Sequence, residues 1–151
     1  FLGDIRVNFQ PKFNNSGGSA LGTDALTGSP EDASMFLGTD FSSPNYESLV
    51  IHEFGHALGM QHEHQHPDAE IPWDHEKAYA YFATTASFSR EEVDSNVLPL
   101  DRDARRTYAP YDRQSVMHYP IPNEVTVGDW HQPANRNISE GDIAFMRSIY
   151  P

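Results

Sequence analysis

The sequence predicts an α+β fold, and three observations carry that expectation. Short segments alternating apolar with polar residues lie before residue 40, a long helix-periodic segment begins near residue 44, and capping-box signatures open later helices. Strands gathered ahead of helices, rather than alternating with them, give the order of an α+β chain. A chain of 151 residues is the size of one domain. Twenty-two acidic against ten basic residues leave a formal charge of −12, which argues against nucleic acid or an anionic membrane as a partner. The chain has no cysteine, so a soft-metal site must be built from histidine. No apolar run reaches the roughly 18 residues of a membrane span, and the start FLGDIRVNF lacks the features of a signal peptide.

The elements follow in order. Asp4 to Phe9 alternates Ile5, Val7 and Phe9 against Asp4, Arg6 and Asn8, the period of a half-buried strand. Asn14 to Gly18 reads as a loop and Leu26 to Asp32 as a turn, with short strands expected around Ser19 to Gly22 and Ser34 to Leu37. Ser43 and Pro44 read as a helix start and Gly59 as its stop, predicting a helix from Pro44 to Leu58. On that helix Val50, Ile51, Phe54, Ala57 and Leu58 share a face expected to pack into the core, opposite His52, Glu53 and His56. Asp74 caps a helix through Phe82, and Ser89 with Glu92 opens another. Leu98 to Gln114 has no periodicity and reads as irregular. Ser139 with Asp142 opens a last helix bearing Ile143, Phe145, Met146 and Ile149.

The chemistry is concentrated in HEFGHALGMQH, His52 to His62. Histidines four residues apart share a helix face, so His52 and His56 can converge on one ion while Glu53 stands beside them. Gly59 permits a sharp exit that turns His62 back as a third nitrogen ligand. Three histidines leave the fourth position of a tetrahedral zinc ion for water, the arrangement of a catalytic site. Glu53 then serves as general base and passes the proton to a leaving amine.

These residues, together with Ser115 to Tyr119 (SVMHY), resemble the metzincin zinc peptidases, and within them the astacin family. HEHQHPD, IPWD, YDRQSVMHYPIP and ISEGDIAFMRSIYP extend the resemblance over most of the chain. The resemblance implies a zincin-like catalytic domain with a twisted mixed sheet, an active-site helix and a mostly irregular or helical C-terminal part. It implies one catalytic Zn2+ held by His52, His56 and His62, with Met117 forming the apolar base of the site. Tyr119 is implied as a switchable tyrosine that approaches zinc at rest and binds the tetrahedral intermediate during turnover. It also implies a zinc endopeptidase acting on extended protein or peptide chains, secreted or extracellular. Ser34, Met35, Phe36, Leu37 and Gly38 are the candidate edge strand for pairing with substrate. Lack of cysteine points to a microbial-type branch, because animal astacins carry disulfides.

In that family the position of Glu63 meets the buried mature N-terminus. Phe1 does not resemble that terminus, and the family's first strand and helix have no counterpart ahead of DIRVNF. Residues 1–151 are therefore expected to form a single catalytic domain that is either a compact branch or, the favoured reading, one lacking or separated from its N-terminal strand and helix, which would leave apolar surface uncovered; a separate N-terminal segment or propeptide is the further partner this implies. His64 and His66 are expected on a solvated loop, with a second metal site the minority reading. His118 is expected to support its loop, and Trp73 and Trp130 to pack. Arg90, Arg102, Arg105, Arg106 and Arg113 are candidates for a local preference for acidic substrates. The non-enzymatic alternative is an inactive zinc-containing module that binds peptide or protein.

Overall fold

The computed structural model describes residues 3–151; the reading of Phe1 as a terminus lies outside the described residues. The chain forms two compact units. One runs to Gln61 and takes in Arg136–Ile138; the other comprises His62–Asn135 and Ser139–Pro151. Among the described residues no helix is long and apolar enough to cross a membrane.

The first unit holds a three-stranded mixed sheet, β1 (Val7–Phe9), β2 (Gly17–Ser19) and β3 (Met35–Leu37), in the order β1-β3-β2. β1 pairs parallel with β3, and β2 pairs antiparallel with it. This overturns the assignment of Ser34, Met35, Phe36, Leu37 and Gly38 as the edge. β3 is the central strand, its backbone engaged on both sides, and Met35 and Leu37 are buried as a central strand requires. The edge antiparallel to it is β2, built from residues expected to be part loop. Gly17 and Gly18 are strand here because neighbouring groups occupy the space their side chains would need. Phe36 lies where a Cβ on Gly18 would point, and Glu53 does the same at Gly17.

The first predicted strand is shorter than expected and its burial is reversed. Ile5 and Phe9 are 39% and 55% exposed, while Arg6 is 6% exposed. The Arg6 guanidinium donates to the carbonyls of Asp32 (2.6 Å), Asp4 (3.0 Å), Gly3 (3.4 Å) and Ala25 (2.8 Å), and these bonds permit a charged group to be buried. Apolar alternation cannot reveal a cation that ties four loop carbonyls together.

Helix α1 (Tyr46–Ala57) begins two residues later than expected, with Asn45 at its N-cap. Its burial also departs from the pattern. His52, Glu53 and Gly55 are buried, Val50, Ile51 and Ala57 are half-buried, and Phe54 and Leu58 are exposed. The sheet explains this, because α1 packs chiefly against β2 and presents to it the side that carries Glu53.

The second unit is built from α2 (His75–Thr85), α3 (Arg90–Asn96) and α4 (Glu140–Ile149), joined by irregular chain. Asp74 caps α2 by accepting from the Lys77 N–H, and both expected capping boxes form, Ser89 with Glu92 and Ser139 with Asp142. Ile71, Ala78, Val93, Val97, Leu98, Ile121 and Val125 make the core, with Trp73 and Trp130 packed against it as expected. The buried residue of α4 is Asp142, whereas Ile143 and Ile149 remain exposed.

Asp142 does more than cap. Its carboxylate accepts from Ser115 Oγ (2.6 Å), the Val116 N–H (3.0 Å) and the Ser139 N–H (2.9 Å), anchoring the 115–119 loop to the start of α4. Hydrogen bonds to a buried charge are among the stronger ones, and removing the acceptor strands buried donors. Asp142→Ala should therefore cost about 3 kcal/mol in denaturant unfolding. Breaking the exposed Arg90–Glu76 pair with Arg90→Ala should leave the midpoint nearly unchanged.

Candidate metal centre

The site is assembled by the end of α1. The Gly59 N–H donates to the His56 carbonyl (2.8 Å) and the Met60 N–H to the Gly55 carbonyl (2.9 Å), the paired bonds of a Schellman termination. Gly59 adopts φ +97°, in the left-handed region, as the sequence requires of it. The reversal places the Met60 carbonyl 2.8 Å from His56 Nδ1. A carbonyl only accepts, so Nδ1 carries the proton and Nε2 keeps a lone pair for a metal. Burial holds His56 below the ordinary histidine range, favouring the neutral ring that a ligand must be.

Ligand atoms of His52, His56 and His62 lie within 4.8 Å of one another, the one such group among the described residues. The rings of His52 and His56 stand perpendicular, 4.7 Å apart. Three neutral-capable imidazoles and no thiolate form a donor set suited to zinc. Glu53 strengthens the fit. It is 5% exposed, and its Oε2 has no hydrogen-bond partner among the described residues, as expected of an oxygen that faces a ligand of the site. Burial pushes its carboxyl up to about 7.

His62 is followed by Glu63, whose N–H donates to the Met117 carbonyl (3.0 Å). Met117 is fully buried, and its N–H donates to Ser115 Oγ (3.0 Å). Asn135 Nδ2 donates to the carbonyls of Ser115 (2.9 Å) and Arg113 (2.8 Å), completing the support of the loop. Tyr119 is 44% exposed, with its ring centred 4.3 Å from that of His62.

The expectation of a solvated loop at His64 and His66 fails. Both are buried. His64 Nε2 meets the Asn96 carbonyl (3.3 Å), and its ring stacks on Tyr119 at 4.9 Å. His66 donates through Nε2 to the Ala109 carbonyl (3.0 Å) and accepts at Nδ1 from the Asp68 N–H (3.1 Å), leaving neither nitrogen for a second metal. These histidines splice loops by bonding to backbone, a role that composition does not signal. His118 supports its loop as expected, donating through Nδ1 to the Tyr119 carbonyl (2.7 Å) and accepting at Nε2 from Tyr111 Oη (2.8 Å). The Tyr111 hydroxyl, pushed up to about 12 mainly by burial, keeps the proton it donates.

Several arginines are already engaged by the chain. Arg90 pairs with Glu76, Arg102 with Asp68, and Arg105 with Asp103. Arg113 bonds Gln132 (2.6 Å) and lies over the Trp130 ring. Asp142 and Asn135 as supports of the loop, and Gly17 beside Glu53, are not apparent in the sequence. A capping box at Ser139 announced Asp142, but nothing announced its second task.

The family model for the astacin peptidases matches residues 42–131. The solved structure of myroilysin superposes with a TM-score of 0.89 at 39% identity, covering 98% of this chain and 73% of that one. High choriolytic enzyme 1, a hatching-enzyme zinc protease from the medaka Oryzias latipes, has a TM-score of 0.59 at 21% identity over 99% of this chain and 70% of its own, a likeness of fold alone. Zinc metalloproteinase nas-36 of Haemonchus contortus is 37% identical over 71 residues, which are 47% of this chain. The matched stretch is only 10% of the length of that curated relative.

Glu63 supplies a test of the site's electrostatics. Its Oε1 accepts from the Asp112 N–H (2.7 Å), yet burial, with Asp112 and Asp142 nearby, pushes its carboxyl up to about 7. Raised in the folded state, it holds a proton that the unfolded chain releases near 4.5, so its contribution falls as pH rises from about 4.5 to 7. Metal-stripped protein should therefore lose thermal stability relative to Glu63→Gln across that window, with no further divergence above it. A difference independent of pH would contradict the assignment.

Proposed function

We propose that this chain, which belongs to the astacin family of metallopeptidases, works as a zinc-dependent endopeptidase on extended protein or peptide substrates. The observation that carries the reading is the buried Glu53 carboxylate next to a three-histidine group whose His56 is fixed in the metal-binding tautomer. Residues 1–151 are read as one catalytic domain, acting outside the cell, with a propeptide or N-terminal segment as a further partner.

His52, His56 and His62 would hold the ion, and zinc, when bound, would supply a Lewis acid that polarises the scissile carbonyl and acidifies water. Glu53 takes the proton of the attacking water. It then delivers that proton to the departing amine as the C–N bond breaks. Its position against β2 keeps bulk water from competing for that proton. Tyr119, half-exposed beside the His62 ring, would donate its hydroxyl to the oxygen that develops charge and would serve as a further ligand of the ion at rest. Met117 fills the base of the site, its place set by the Ser115 and Glu63 bonds.

Substrate binding moves from β3 to β2. Ser16 and Ala20 exchange backbone bonds with β3 and its flanks, the Gly38 N–H donating to the Ser16 carbonyl (2.9 Å) and the Ala20 N–H to the Ser34 carbonyl (2.8 Å). In an antiparallel ladder this turns the peptide groups of Gly17 and Ser19 to the other side, where an extended substrate can add as the next strand.

Purified protein should hold one zinc per chain and cleave casein, losing activity on chelation and regaining it with zinc. Glu53→Gln should retain the zinc and lose at least about 100-fold in kcat/KM. Peptide binding without turnover in the zinc-loaded wild type would instead favour the inactive binding module, and undiminished activity of Glu53→Gln would remove Glu53 as the base. Recovery of the native protein from culture medium rather than cells tests its location.

A further inference from the structure

The general base is surrounded by little that could hold it. One Glu53 oxygen has no protein partner among the described residues, and no side-chain hydrogen bond among them fixes its carboxylate in the plane it must occupy. The Gly17 backbone lies beside it. A Cβ built on Gly17 would stand 2.9 Å from Glu53 Cγ, 3.0 Å from Oε1 and 3.1 Å from Cδ. The Glu53 side chain thus lies over the bare Cα of Gly17.

We propose that Gly17 is a positioning residue for Glu53, its hydrogen setting how closely the carboxylate lies to the open edge of β2. Gly17 pairs with Leu37 in the sheet register, so it shares the face of Leu37, and α1 lies against this sheet. Its backbone is not left-handed, so it is not glycine for conformational reasons. The neighbouring Gly18 differs, since its missing side chain makes way for the Phe36 ring on the other face. Gly17 therefore serves twice. Its peptide groups face the added strand, and its bare Cα sets the distance between that strand and the base. Any side chain would force Glu53 to retreat by about 0.5 Å or more before the contact became ordinary. The effect on catalysis rests on Glu53 being the base, whereas the contact itself does not.

Gly17→Ala keeps the peptide groups and all three histidines, so zinc content and KM should stay within about twofold of wild type while kcat falls at least about tenfold, as displacements below 1 Å can cost that much. Gly28→Ala, at a glycine with nothing within 4 Å of its Cβ position, should change neither constant. A thermal-unfolding cycle on metal-stripped protein reads the contact without activity. Gly17→Ala should lower Tm when Glu53 is present and much less in a Glu53→Ala background. If Gly17→Ala alone does not fold, the double variant should. Unchanged kcat in a folded Gly17→Ala, an equal Tm loss in both backgrounds, or a double variant that also fails to fold would each overturn the proposal. If Glu53→Gln remains active, the reading of the base fails, while the cycle still reports on the contact.

Discussion

The structure of the site depends on one reversal of the backbone at Gly59. A helix can align two imidazoles four residues apart, but it cannot bring in a third ligand from the same segment without ending abruptly. The two Schellman bonds end it, and φ +97° at Gly59 is the conformation that a side chain would oppose. The same turn delivers the Met60 carbonyl to His56 Nδ1, so chain reversal and choice of tautomer are one event. A substitution that relaxed the turn would misplace His62 and release His56 together.

Around that turn, the chain places costly groups where ordinary packing would put leucine. Burial pushes the Glu53 and Glu63 carboxyls up to about 7, and at Glu63 it outweighs the Asp112 N–H bond that favours the charged form. Such groups lower stability near neutral pH, and the fold offsets this elsewhere with satisfied networks. Arg6 ties four carbonyls in one unit, and Asp142 holds Ser115, Val116 and Ser139 in the other. Rigid support and a destabilised centre are complementary, since a base that must exchange protons cannot also be locked in a salt bridge.

Local chemistry is legible in the sequence and long-range chemistry is not. The capping boxes, Asp74, Gly59 and the histidine spacing each express a rule confined to a few residues, and the structure follows all of them. The face of α1 escapes such rules because amphipathic reasoning assumes that the apolar side finds the core, whereas this sheet lies against Glu53. The order of the strands escapes them for a related reason. β3 is the most apolar short strand and therefore central, while the edge is a Gly-Gly-Ser segment with no strand propensity, held in place by Phe36 and Glu53 lying over its glycines. Burial of Arg6, His64 and His66 likewise depends on carbonyls distant in sequence, which no local pattern encodes.

One helix and its glycine turn bring three imidazole nitrogens together where a single zinc ion can bind. X-ray absorption at the zinc edge of the purified, zinc-loaded protein measures this directly. Three nitrogen neighbours at about 2.0–2.1 Å with histidine multiple scattering are expected, the remaining neighbours being oxygen. A first shell with two or fewer histidines, or one dominated by oxygen from surface carboxylates, would contradict it.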